Sequence, residues 1–469
     1  MTARRAGTVL LVLALGLVNA IALYGWDPLH PTNIDWITGD PATHYAAWAA
    51  YRHDAHLRFP LAWTDRVGFP VGTSIAWQEP ITLAAVLLRP LSPLLPEPFQ
   101  YLGWYAALCF VLQAYFGFRL CEVLFPGGGV FNVLGAVFFL IAAPLTWRAL
   151  GHIPFLSQWL ILAALSAYIR DPGDRPIRWL ARLWIVLTFA AAITSYISVM
   201  CCLIALAGVA RLAVEGRCGW PRTIVFAAVT AAILLGTAAI FGVLASVHPS
   251  SYWAPGYGRF SMNLDAPLNP LLPGSLLPVL PLAFEQQYEG YNYLGLGLIA
   301  LLALGIARRP QSIRQFARRR WIPLVALSLV CTALALSTTV TLGSATLFEI
   351  PLTPRLLSIV EGLRASGRFF WPVYYLIVSA ALAMTFSAWT SPARIVVLAI
   401  AIAVQFVDLM PLRTRVRADL ERRFRNPLVS DAWKGLGRRY DNLILLPPYQ
   451  CDPAGGAGGS DSYVTFGKF

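Results

Sequence analysis

Residues 182–211 read RLWIVLTFAAAITSYISVMCCLIALAGVAR, 28 uncharged residues between two arginines. A helix crosses the hydrocarbon core of a bilayer with about 20 apolar residues. This run is therefore long for one span and short for two. Similar runs lie on both sides of it. Arg5 to Asp27, Glu97 to Arg119 and Arg148 to Arg170 each enclose 21 uncharged residues. Glu122 to Arg148 and Arg368 to Arg394 each enclose 25, Arg320 to Glu349 encloses 28, and Arg222 to Arg259 encloses 36. The chain is 57% hydrophobic and 13% charged, against about 25% charged in soluble proteins. Mean hydropathy is +0.62. These features exclude a water-soluble fold and indicate an all-α integral membrane protein.

The spacing predicts about 11 transmembrane helices, near 8–25, 100–118, 130–147, 154–169, 180–195, 197–212, 223–245, 291–307, 322–338, 371–388 and 394–410. Met1 to Trp26 resembles a signal peptide, but its apolar run exceeds the roughly 7–15 residues of a cleaved core. It reads as an uncleaved first span. The 80–96 segment holds Pro90, Pro93 and Pro96. Proline breaks a helix interior, so this segment reads as a surface-lying helix.

The quoted run sets the parity. Cytoplasmic loops carry an excess of Lys and Arg. Two helices, turning near Thr194-Ser195-Tyr196, put Arg170, Arg175 and Arg178, then Arg217 and Arg222, then the cluster from Arg308 to Arg320, on one side. One helix would separate that last cluster from the others. With two helices the cytoplasmic side holds 17 basic residues and four carboxylates. The outer loops hold nine basic residues and 12 carboxylates. The net charge of +13 is then mostly topological rather than a nucleic-acid signal. The expected location is the cytoplasmic (inner) membrane, with the N-terminus cytoplasmic and the C-terminus extracytoplasmic. Residues 1–410 form the membrane domain. Residues 411–469 read as a small extracytoplasmic α/β segment, with Asp419 to Arg425 helical and strand-like patches at 442–446 and 463–466. The seven cysteines show no zinc or redox spacing and read as packing residues.

Long ordered loops usually carry function, and the outer loops near 26–98, 246–290 and 339–370 are the long ones. In the first, Asp40 follows Gly39 and precedes Pro41, at a helix start. A carboxylate there can cap free backbone N–H groups. His44, four residues on, shares its face. Such a pair can serve as a base, as metal ligands or as a plain hydrogen bond. Asp35 is the rival carboxylate. His152 sits in the tight turn between two spans. Glu289 stands among Tyr288, Tyr291 and Tyr293, which suit either an aromatic belt or sugar stacking. Arg364 and Arg368, in RASGRFFW, suit either phosphate binding or snorkelling to the interface. No P-loop, HExxH or Ser/His/Asp signature is present.

The order of a first span, an outer loop with an early Asp, a short proline-bounded helix and a second span resembles GT-C membrane glycosyltransferases. The blocks GDPATHYAAW (residues 39–48) and TDRVGFPVGTSIAWQEP (64–80) look like a bacterial family of membrane proteins known as a domain of unknown function related to those enzymes. Gly151-His152, Gln158-Trp159, YEGYNYLGLG (288–297) and RASGRFFWPVYY (364–375) agree. The resemblance covers about residues 10–450. Gln158 stands where the family pattern has a histidine, so that position offers no imidazole.

The resemblance implies inverting hexosyl or pentosyl transfer from a polyprenyl-phosphate sugar at the outer face of the membrane, to a glycan, lipid or protein acceptor. It implies Asp40 as general base, with Asp35 second. It implies His44, Tyr45, His152, Glu289, Arg364 and Arg368 as substrate-binding residues. Some GT-C enzymes hold a divalent metal with such carboxylates and others hold none. Membrane lipids are expected partners and nucleic acid is not. The competing readings are a lipid or polysaccharide transporter and a non-catalytic envelope-assembly protein.

Overall fold

The computed structural model describes residues 3–245, 256–308, 319–423 and 430–440. It is a helical bundle. Among the described residues, eight helices are long and apolar enough to cross a membrane. They are α1 (Ala3–Tyr24), α4 (Leu102–Leu124), α8 (Pro176–Ile193), α9 (Ser195–Val214), α10 (Trp220–Ile240), α12 (Ile322–Leu336), α14 (Trp371–Ala388) and α15 (Ser391–Asp408). The decisive run divides as expected. Thr194 takes an extended conformation (φ −157°, ψ 140°) between α8 and α9, and the two helices then pack along each other.

The other three expected spans are shorter apolar helices, each for a visible reason. α5 (Val130–Leu140) stops before Ala142-Ala143-Pro144, and a separate short helix, α6 (Ala143–Arg148), follows. The next span opens as a 3-10 turn at Ile153–Gln158, with Pro154 near its start, before α7 (Trp159–Ile169). α11 (Leu296–Arg308) begins late. Tyr291 to Gly295 stay non-helical, and Gly295 turns the chain at φ +82°. Asp408 fixes this entry by accepting hydrogen bonds from Tyr293 Oη at 2.7 Å and Leu296 N at 2.8 Å.

The first loop folds over one end of the bundle. It contains α2 (Asp40–Arg52), the antiparallel pair β1 (Trp63–Thr64) and β2 (Thr73–Ser74), and α3 (Thr82–Leu88) with a 3-10 continuation at Arg89–Leu94. That short α3 segment agrees with the surface-lying reading. Buried arginines hold the loop. Arg52 donates to the carbonyls of Ser92, Leu95 and Pro96 at 3.2–3.3 Å. Arg89 donates to those of Asp54 and His56 at 2.9 and 2.6 Å.

At the same end lie the hairpin of β3 (Thr339–Leu342) and β4 (Ala345–Glu349), and the short helix α13 (Pro354–Val360). α16 (Met410–Glu421) also packs here, against α1 and α6. The tail is thus helical earlier than Asp419. The last described helix is α17 (Asp431–Arg439). The two strand-like tail patches lie outside the described residues.

Inside the bundle an uncharged chain ties five segments together. Gln113 donates to Tyr375 Oη at 2.9 Å, and Tyr375 donates to Gln158 Oε1 at 2.6 Å. The amides of Gln113 and Gln158 finish on the carbonyls of Phe139 and Pro144. Gln158 is therefore a structural hydrogen-bonding residue. Buried polar groups need such partners in a medium without water.

Candidate functional site

Side chains from the 148–152 stretch and from Arg368 converge on one carboxylate. Glu289 is buried, 3% exposed. Arg148 Nη1 donates to its Oε2 at 2.6 Å, and Arg148 Nη2 donates to its backbone carbonyl at 3.1 Å. Arg368 grips the same Oε2 through Nε at 2.9 Å and Nη2 at 2.8 Å. Oε1 faces His152 Nε2 at 3.2 Å. That same nitrogen lies 3.4 Å from Asp40 Oδ2. A ring nitrogen between two carboxylates carries hydrogen. The result is a line from the deep Glu289, through His152, to Asp40, whose side chain is 54% exposed.

The backbone explains how these side chains meet. A Cβ at Gly367 would lie 2.5 Å from Gly290 Cα. The two chains cross at a distance only glycine allows, which sets the neighbouring Glu289 and Arg368 side by side. Asn292 pins the crossing by donating to the carbonyls of Gly290 and Gly367 at 2.9 and 3.0 Å. Gly151 does the same for Asp40: a Cβ there would meet Oδ2 at 3.3 Å. The Asp40 carboxylate does not cap its helix. Gly39, at φ +60°, is the N-cap and makes no side-chain cap.

Aromatic faces surround the cations. Arg368 sits between the rings of Phe155 at 4.1 Å and Tyr196 at 4.7 Å, and Arg148 lies 5.7 Å over Trp371. Burial alone would raise the Glu289 carboxyl, but Arg148, Arg368 and His152 hold it well below the usual carboxylate range. Two guanidiniums around one buried carboxylate leave a local charge of +1, which Asp40 can balance.

His44 is buried on the same helix as Asp40. Its Nδ1 lies 2.7 Å from the carbonyl of Gln78. Only a donor nitrogen can pair with a carbonyl, so Nε2 carries the lone pair, and it has no partner among the described residues. Burial lowers this imidazole to about 4, against the opposing pull of the Gln78 bond.

Asp40, His44, His152, Glu289 and Arg368 thus come together. Asp35 remains exposed on the approach to α2, with no ion pair to the cluster. Tyr45 is buried and sits in the fields of Glu97 and Arg52 rather than those of the cluster. Burial, then Glu97, push its hydroxyl up to about 12. Arg364 is half-buried, 5.1 Å over the Phe260 ring, with no carboxylate partner among the described residues. Arg368 is closed in on Glu289 rather than open to a ligand.

Two members were not singled out from the sequence, Arg148 and Glu79. Arg148 is the only charge between Glu122 and Arg170. An isolated arginine inside so long an apolar stretch is itself a functional signal. Glu79 stands in the quoted block ending AWQEP, and the fields of Arg368, His152, Glu289 and Asp40 all reach it. Among the described residues, no group of three or more His, Cys, Asp or Glu side chains is placed to hold a metal ion. The side chains that do converge fit a proton and ion-pair network.

An apolar cavity of about 360 Å³ lies between α12 and α14. Trp321, Leu324 and Val325 line one wall, and Val373, Leu376 and Ile377 the other. It extends to Leu124 and Phe125 at the end of α4, Ile169 at the end of α7 and Arg320.

The DUF6311 family, a domain of unknown function, matches residues 13–410. The chain belongs to that family. The match takes in every side chain of the cluster, from Asp40 to Arg368, so the site lies wholly within the DUF6311 region. No curated protein matches the chain.

Proposed function

We propose that this DUF6311 protein is an inverting membrane glycosyltransferase that takes its sugar from a polyprenyl-phosphate carrier. The observation that carries this reading is the Asp40–His152–Glu289 line, buried at one end and open at the other. Asp40 is the exposed terminus, where an acceptor hydroxyl can approach. His152 and the clamped Glu289 hold it in place, which is the preorganisation that proton transfer needs. The acceptor oxygen bonds to the anomeric carbon as its proton passes to Asp40. The bond from that carbon to the phosphate oxygen breaks, and its electron pair leaves with the lipid phosphate. Attack opposite the leaving group inverts the sugar.

The remaining groups suit such a donor. Arg364 has no carboxylate partner among the described residues and suits the leaving phosphate. The apolar cavity between α12 and α14 suits an isoprenoid chain. That cavity also suits a carrier that only moves lipid, which is the second reading.

The test is sugar transfer from radiolabelled polyprenyl-phosphate sugars in proteoliposomes, comparing wild type with Asp40→Asn. A positioned base contributes about 10²- to 10⁴-fold, and the variant should lose that much rate while still binding donor. Equal transfer by both proteins would remove Asp40 from the role. Lipid movement that survives the substitution, without sugar transfer, would favour the carrier.

A further inference from the structure

The clamp accounts for Glu289, and its open end accounts for Asp40, but the third carboxyl of the cluster is left without a partner. Among the described residues Glu79 makes no side-chain hydrogen bond or ion pair, although it lies half-buried in the fields of charged groups. Its backbone is held in a left-handed conformation, φ +52°, and Ile81 two residues later is also left-handed at φ +56°. Such conformations in residues other than glycine cost about 1–3 kcal/mol each and collect at functional sites. Two side chains lock the arch between them. Tyr101 donates its hydroxyl to the Pro80 carbonyl, and His44 holds the Gln78 carbonyl at 2.7 Å. These bonds fix the backbone from which the Glu79 side chain leaves.

The fields of Arg368, His152, Glu289 and Asp40 reach Glu79, and its own reaches Tyr196 on α9. The donors that Arg368 aims at a carboxylate both go to Glu289. Asp40 and Glu289 repel a further negative charge. Half-desolvation without a dedicated cation favours the neutral form of such a carboxyl. Burial, with Glu289 and Asp40 adding to it, pushes Glu79 up from the usual carboxylate range, against Arg368 and His152.

We infer that Glu79 is a neutral hydrogen-bond donor that the site offers to a phosphate oxygen of its substrate. This deepens the glycosyltransfer reading and rests on it. With Glu79 protonated, the two arginines balance Asp40 and Glu289, and an anion can enter. With Glu79 ionised, the site carries one more negative charge and binds the same anion more weakly. The unpartnered lone pair of His44 then suits a neighbouring hydroxyl of the sugar.

The probe is a short-chain prenyl phosphodiester carrying a fluorophore, because its single charge does not titrate near neutral pH. Binding to the reconstituted full chain is measured from about pH 5 to about pH 9 for wild type, Glu79→Gln, Glu79→Asp and Asp40→Asn. Wild type should lose affinity about tenfold per pH unit once the carboxyl ionises. Glu79→Gln keeps a neutral donor and should bind with a flat profile. Glu79→Asp should bind more weakly and still titrate. A Glu79→Gln profile that falls in step with wild type would overturn the assignment, as would a wild type that binds no phosphodiester at any pH. If transfer depends on Asp40 while Glu79→Gln changes nothing, the glycosyltransfer reading stands and the Glu79 role alone falls.

Discussion

The two polar ends of the bundle use the same residue types in opposite ways. At the end away from the first loop, arginines meet carboxylates near the surface. Arg5 pairs with Glu122 at 3.3 Å, with the arginine 49% exposed, and Arg217 pairs with Asp171 at 2.9 Å. The most buried arginine there, Arg211, donates to the carbonyls of Tyr168 and Arg170. A cation at the last carbonyls of a helix stabilises that end. At the site end, Arg148 and Arg368 are both buried and share one buried carboxylate. Removing ions from water costs several kcal/mol each, and nothing in topology demands it. The exposed end keeps its ion pairs at the surface. The buried end maintains a cluster that a stability-optimised bundle would replace with apolar packing.

Breaking each end should expose the difference. Glu289→Gln leaves two buried guanidiniums around a neutral amide. Deleting one partner of a buried ion pair costs about 3–5 kcal/mol, so unfolding in detergent should shift by that much. If Glu289→Gln unfolds like wild type, the cluster is hydrated and the contrast between the ends disappears. Combining it with Arg148→Met should recover part of the loss, because the pair then leaves one cation rather than two.

The bundle was legible in the sequence because the membrane imposes a coarse code of uncharged runs and arginine asymmetry. The break at Thr194 followed from charge parity alone. The shortened helices were not legible, since their causes are tertiary. The residues before α11 stay extended because Asp408 and Gln405, more than a hundred positions away, bind them. Five of the seven cluster members, Asp40, His44, His152, Glu289 and Arg368, were visible as charged or imidazole groups in the loops between spans. Arg148 was hidden because it looked like a span boundary. Glu79 was hidden because its significance lies in a left-handed backbone and in having no partner. The crossing of Gly290 and Gly367 joins two blocks whose glycines looked unrelated.

Acid should separate the ends next. His44 titrates at about 4 when folded, against 6.5 for an unperturbed imidazole. A lowered folded value means stability is fully present above pH 6.5 and is lost as pH falls toward 4. Each unit is worth about 1.4 kcal/mol, so the loss is about 3 kcal/mol. Glu289 acts in the same direction further into acid, because its folded value is depressed. Glu79, with a raised value, acts oppositely and loses its contribution as pH rises. The thermal midpoint should therefore fall below pH 6.5 in wild type and fall less in His44→Gln. An unchanged slope in that variant would place the acid sensitivity elsewhere.

The smallest effect belongs to the exposed end. Arg217 is 35% and Asp171 73% exposed, and exposed pairs contribute about 0–1 kcal/mol. Arg217→Ala should leave the unfolding midpoint nearly unchanged. Its purpose should appear instead as orientation. In a background lacking the seven native cysteines, a cysteine at position 217 should react with an impermeant maleimide only from one side of the membrane, and one at His53 only from the other. Labelling of both from the same side would contradict the separation of the two ends that charge and connectivity require. If the sides are opposite but Arg217→Ala costs as much as Glu289→Gln, then the arginines of that end are structural too. The buried cluster would then lose its claim to be set apart by function.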